Sequence, residues 1–299
     1  MKSFLIKVLA FGALFFVLDK SAYFILQNSV KYISGYDPRI QRIMDGQMNK
    51  EVIVLGSSRG AKSVVAEQIQ AETGRSSYNL CVNSSDVSFH EYQLRSLLRY
   101  NTAPKVLLYV LDDPIHLQEQ NNYSFRTDLL APLAVYYQCN EGLIQAGVHS
   151  PVSRYLWITR LGPNHFSPEW RSTDPFDTVR ACGTQWLNYY SDWRDFPYQE
   201  QYYNARKDVA WKVESLKKIA THCREYGIRF VLVYPPNYRP HSREFEAKLR
   251  QVLGPEVEHL VYNQDNPAYR DRQYFYDPDH LHLSGGRLFT EEIIERLGL

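Results

Sequence analysis

Cysteine is scarce in this chain, four among 299 residues, and without close pairing. That excludes a zinc ribbon or a disulfide-dense miniprotein. Long runs of one charge are also missing. Lys plus Arg total 34 against 33 for Asp plus Glu, so a net charge of +1 gives no reason to expect a nucleic acid as partner. Neither phosphate-cradling pattern occurs, G-x-x-x-x-G-K-[ST] or G-x-G-x-x-G. No internal repeat or low-complexity tract is visible. With 44% hydrophobic and 22% charged residues the chain can bury a sizeable core, in one large domain or two small ones.

What is present begins with an apolar N-terminus. Lys2 and Lys7 precede the 11-residue run Val8 to Leu18, which suits a signal h-region. No small-x-small cleavage site follows, because Asp19-Lys20 sits where one would begin. Apolar character resumes from Ala22 to Leu26, and Phe4 to Leu26 as one helix of 23 residues is long enough to cross a bilayer. Asp19 and Lys20 are costly near its outer third, tolerable through snorkelling or a helix partner. The preferred reading is a signal anchor over residues 1–26 and a polar connector over 27–50. An amphipathic surface helix or a core helix is the alternative. Lys31, Arg39 and Arg42 on the far side leave orientation open.

From residue 51 the pattern alternates. Apolar runs at Glu51–Leu55, Ser76–Val82, Lys105–Leu111 and Ile228–Tyr234 read as strands, with a further strand at Glu258–Tyr262. Helical spacing separates them: Ala61 to Ile69, Glu91 to Tyr100, Val209 to Cys223, Ser242 to Val252, and a last helix after Gly285-Gly286. Strands apolar throughout and separated by helices predict a parallel sheet covered on both faces, a three-layer α/β domain over 51–299. Residues 114–203 break the alternation and hold four of the five Trp and nine Tyr, which predicts a folded insertion at the C-terminal edge of the sheet. If the domain is exported, Cys139 and Cys182 inside that insertion are expected to pair, with four buried thiols as the alternative.

The chemistry gathers at two places. The first strand delivers Gly56-Ser57-Ser58-Arg59-Gly60 to the edge where parallel sheets bind ligands, ahead of a helix N-terminus. Taken alone, such serines are ordinary N-caps. Near the other end, Asp277-Pro278-Asp279-His280 places a carboxylate three residues before an imidazole. That spacing lets the carboxylate orient the ring, which can then take a proton from a serine hydroxyl. A metal site built on His280, His282 and the aspartates, or a plain surface turn, are the competing readings.

These residues resemble the SGNH (GDSL-like) hydrolases. Gly56-Ser57-Ser58 stands at that family's first block, making Ser58 the matched nucleophile, and Asp277 with His280 match its Asp-x-x-His block. The resemblance covers about residues 51–112 and 205–299. It looks closest to the membrane-anchored branch that includes D-alanine-transfer and alginate O-acetylation proteins. It implies a flavodoxin-like α/β/α fold and a Ser58-His280-Asp277 triad that needs no metal or cofactor. The oxyanion hole would draw on Ser58, Ser84 and Asn83. Two departures stand out. Ser84 occupies the usual oxyanion Gly, and Val110-Leu111-Asp112-Asp113 puts Asp112 where the family has an Asn donor.

Three classes of function follow. One is a serine esterase acting on O-acetyl or other acyl esters of envelope carbohydrate. The second is an O-acyltransferase fed by a membrane-bound partner. The third is a non-catalytic carbohydrate-binding or assembly protein. In the first two, Arg59, Tyr189, Tyr190 and Trp193 are expected to face an acylated glycan. The catalytic domain is expected outside the cytoplasm, held by the single N-terminal helix.

Overall fold

The computed structural model describes residues 1–33, 35–111, 113–118, 124–166, 176, 178–191, 196–198 and 202–299. Asp112, Trp170 and Trp193 therefore lie outside the described residues. In chain order the helices are α1 (Lys2–Ser29), α2 (Pro38–Met44), α3 (Ser58–Ser63), α4 (Ala66–Thr73), α5 (Val87–Tyr100), α6 (Thr127–Leu130), α7 (Tyr137–Gln145), α8 (Ala210–Glu225), α9 (Arg243–Leu253) and α10 (Leu283–Leu297). The strands are β1 (Val52–Gly56), β2 (Ser77–Asn79), β3 (Val106–Val110), β4 (Arg229–Tyr234), β5 (Glu258–Val261), β6 (Phe275–Asp277) and β7 (His280–Leu281).

The chain divides into two compact units, one of residues 1–45 with 126–172 and the other of residues 46–125 with 173–299. These boundaries differ from the expected anchor, connector and single insertion. The expected connector contains α2, where Asp37 accepts the Arg39 N–H at 2.8 Å, Pro38 opens the helix, and Ile40 and Ile43 are buried. The expected insertion is shared between the units. Residues 126–172 fall in the first unit, where the turn Ala131–Leu133 packs on α1 and on the turn Val30–Tyr32, and Leu130, Leu133 and Leu143 are buried. The α1 helix is long and apolar enough to cross a membrane, a property it shares with signal sequences.

The second unit is built on a five-stranded parallel sheet in the order β2-β1-β3-β4-β5. Val52 pairs with Ser77 on one side and with Val106 on the other, so β1 is flanked by both of its successors. Every residue of β1 and β3 is buried, as the unbroken apolar runs require of strands covered on both faces. Because the chain leaves β1 in opposite directions to reach β2 and β3, a crevice opens at their carboxyl ends. Gly56 terminates β1 with φ +154°, and a Cβ there would lie 2.7 Å from the Val110 carbonyl oxygen. Only glycine lets β1 end this close to β3. The expected Cys139–Cys182 disulfide is absent: Cys139 lies in α7 of the first unit and Cys182 in the second, and both are thiols.

Candidate functional site

Ser58 is the first residue of α3, reached directly from the glycine that ends β1. Asn79, at the end of β2, fixes that helix. Its buried amide donates to the carbonyls of Gly60 and Val64, each at 2.9 Å, and accepts the Cys81 N–H at 3.0 Å. Gly60 completes the fit, since a Cβ would meet Cys81 Sγ at 2.5 Å and Val110 Cβ at 3.1 Å. Ser58 is thus held against the carboxyl ends of β1 and β3.

The imidazole of His280 reaches it from 222 residues away, with Nε2 2.9 Å from Ser58 Oγ. On its other side Nδ1 faces both oxygens of Asp277, at 3.0 and 2.9 Å. The same carboxylate accepts the backbone N–H groups of Asp279 at 2.8 Å and His280 at 2.9 Å, which tightens the turn between β6 and β7. Burial works to raise the Asp277 pKa, but the bonds from His280 and these N–H groups outweigh it and hold the carboxyl below its usual range. An ionised carboxylate only accepts, so the proton of the neutral ring sits on Nδ1. Nε2 is then the acceptor and the Ser58 hydroxyl the donor. Ser57 differs: it is fully buried and its Oγ lies 3.4 Å from His116 Nε2.

A charged cluster braces this arrangement. Arg59 Nη2 donates to Asp113 Oδ2 at 2.6 Å and to Asp279 Oδ1 at 2.7 Å, and its side chain is only 4% exposed. Arg239 also bonds Asp279, and lies 3.9 Å from Asp113. Burial acts to raise the Asp113 pKa, and the Arg59 charge leads the groups that bring it below normal. Arg59 thereby ties the end of β3 to the loop carrying Asp277 and His280. The sequence reading placed it toward substrate instead.

Around the imidazole lies a set of rings. Phe176 meets His280 edge-on at 5.4 Å, Tyr276 contacts Phe176 at 5.8 Å, and Tyr189 meets Tyr276 at 5.4 Å. Tyr190 stacks on His282 at 4.5 Å, nearly parallel, and its hydroxyl donates to the Gln273 carbonyl at 3.2 Å. Lys62, fully buried one turn beyond Ser58, donates to Asn83 Oδ1 at 2.9 Å and to the Phe176 carbonyl at 3.0 Å. Its ammonium also sits 3.9 Å from the Phe176 ring centre. Ser84 is exposed, with a left-handed φ of 56°.

Among the sites singled out in the sequence, Ser58, His280 and Asp277 meet at hydrogen-bond distance. Tyr189 and Tyr190 reach the same loop through ring contacts, and Asn83 joins α3 through Lys62. The roles of Phe176, Lys62, Asp113, Asp279 and Arg239 were not read from the sequence. Asp113 and Arg239 follow the ends of β3 and β4, a positional signal that was available; Phe176 carried none. No group of three or more His, Cys, Asp or Glu suited to a metal ion occurs among the described residues. No protein-family model matches the chain, and no curated protein matches it.

Proposed function

We propose that the second unit is an SGNH-type serine ester hydrolase or acyltransferase acting on acyl esters, foremost O-acetyl esters, of envelope carbohydrate. The observation that carries this reading is the Ser58–His280–Asp277 relay at 2.9 to 3.0 Å. Two further features support it. The strand order β2-β1-β3-β4-β5 is the order of flavodoxin-like doubly wound sheets. Ser84 takes up a backbone conformation that glycine adopts freely, at the position where the family has its oxyanion glycine.

In this mechanism Ser58 Oγ attacks the ester carbonyl carbon while His280 Nε2 accepts its proton and Asp277 holds the ring. The resulting oxyanion takes hydrogen bonds from the backbone N–H groups of Ser58 and Ser84 and from the Asn83 amide, whose oxygen end Lys62 occupies. Collapse breaks the bond to the sugar oxygen, which leaves with the proton from His280, and Ser58 keeps the acyl group. A second acceptor then loses its proton to His280 and attacks the acyl-serine. Water as acceptor gives a hydrolase; a sugar hydroxyl gives a transferase. Tyr189 and Tyr190 supply flat faces beside the relay for a sugar ring. The apolar N-terminal helix supports membrane attachment, with the catalytic unit facing the envelope and its glycans.

Turnover of a chromogenic acetate ester tests the assignment. Ser58→Ala should lower it by ~10³-fold or more, while Ser57→Ala retains most of it. Equal effects of the two changes would reject Ser58 as nucleophile. A non-catalytic carbohydrate-binding protein is the second reading, favoured by the departures at residues 84 and 112. It predicts no turnover above buffer in the unmodified chain.

A further inference from the structure

The surroundings of α1 change sharply along its length. Residues 2–18 are exposed on every side, with Phe4, Phe11 and Phe16 among them. From Asp19 onward one face, Asp19, Ala22 and Leu26, is buried within the first unit. The turn Trp157–Arg160 packs on that part of the helix. The Ile158 N–H donates to Asp19 Oδ1 at 3.1 Å, and the Trp157 ring meets Tyr23 edge-on at 4.9 Å.

The bare stretch from Phe4 to Leu18, apolar but for Lys7 near its start, is about 15 residues, which at ~1.5 Å per residue spans ~22 Å. A bilayer's hydrocarbon core is ~30 Å thick. A span that short is met by local thinning of the bilayer, which would bring Asp19 and the packed residues 157–158 to the headgroup boundary. We propose that the first unit is seated in the headgroup boundary of a lipid bilayer, with Tyr155, Ile158 and Phe166 against lipid. These side chains are 81%, 37% and 64% exposed. They belong to consecutive turns, of which Pro151–Arg154 packs on Trp157–Arg160, while Trp157–Arg160 and Pro163–His165 pack on α1. Aromatic residues at this depth are stabilised by an apolar body below and polar headgroups above. The same placement accounts for Asp19. Its carboxylate meets a backbone N–H at the membrane surface and never enters hydrocarbon. Lipid is the fitting occupant because this face is continuous with a helix apolar enough to cross a membrane. The inference rests on membrane insertion of α1 and is independent of the chemistry at Ser58.

The test uses the full chain in phosphatidylcholine–phosphatidylglycerol vesicles, with a fluorescent label on Phe11→Cys, Tyr155→Cys, Ile158→Cys or Gln27→Cys. The unmodified chain, whose cysteines are buried or half-buried, sets the background. Quenching by nitroxide lipids reads depth. Labels at 155 and 158 should respond most to the headgroup nitroxide, roughly three-fold more than the label at 27, and the label at 11 to the acyl-chain nitroxide. Labels at 155 and 158 that behave like 27 while 11 is deep would overturn the seating alone. No quenching at 11 would overturn the insertion on which it rests. Labels at 155 and 158 shielded from both lipid nitroxide and aqueous iodide would mean that protein covers this face, which also overturns it.

Discussion

The guanidinium of Arg59 follows the proposed nucleophile by one residue and bonds Asp113 and Asp279, partners 54 and 220 positions away. Its effect on chemistry would pass through the Asp277–His280 turn. Without it Asp113 keeps the more distant Arg239, 3.9 Å away, and the loop bearing the imidazole loses its direct tie to the end of β3. Arg59→Gln is expected to lower kcat on an acetate ester by ~10–100-fold with little change in KM, because misplacement near 1 Å costs that much. Arg59→Lys should recover only part, since one ammonium cannot copy a forked donor. A rise in KM with kcat retained would return Arg59 to the substrate-contacting role read from the sequence. Residue by residue, Ser58, Asp277 and His280 were legible because their signals are local, a strand end and an Asp-x-x-His spacing. The Arg59 partners and Phe176 were not, because only tertiary contact gives those positions meaning.

Among the elements, α3 carries the most constraint, being pressed onto Cys81 and Val110 at Gly60. Gly60→Ala puts a methyl group 2.5 Å from the Cys81 thiol and 3.1 Å from Val110 Cβ, which cannot withdraw without moving the end of β3. Overpacking of this kind costs ~1–3 kcal/mol, so the melting temperature should fall by ~2–4 °C for each kcal/mol. An unchanged melting temperature would show that the contact is looser than the structure has it. The strands and the longer helices of the second unit could be read from sequence because apolar runs and 3.6-residue spacing are strong local signals. The short α2 escaped, with only three apolar positions turned inward from a polar stretch, Ile40, Ile43 and Met44. The split of α1 into a bare and a packed portion escaped too. Its side chains are apolar nearly all round, so nothing in the pattern marks which face meets residues 157–160.

Over the whole molecule, histidines kept neutral set the response to acid. Burial, with the nearby His116 charge adding to it, holds His90 well below the ordinary histidine value. His259 is lowered to about 4, chiefly by burial. Between the unfolded value near 6.5 and these lower values, the unfolded chain binds protons that the native state refuses. Stability therefore rises with pH through this window and is lost as pH falls. The melting temperature should drop steadily from pH 7 to pH 4.5, and His259→Gln should make that slope shallower. An unaltered slope would remove His259 from the account. At this scale the parallel α/β architecture was readable in advance, while the two-unit division was not, because contacts between residues 1–45 and 126–172 have no short-range signature.

The central claim is that Ser58 is a nucleophile activated by His280 and Asp277, and covalent capture tests it most directly. The full chain is the proper material, since removing residues 1–26 would strip the buried Ala22 and Leu26 from the first unit. Treated in detergent with a fluorophosphonate and digested for mass spectrometry, it should carry the adduct on Ser58. Ser57→Ala should leave labelling intact, and His280→Ala should slow it by ~10²-fold or more. Labelling of another serine, or labelling of Ser58 at the same rate without His280, would contradict the account.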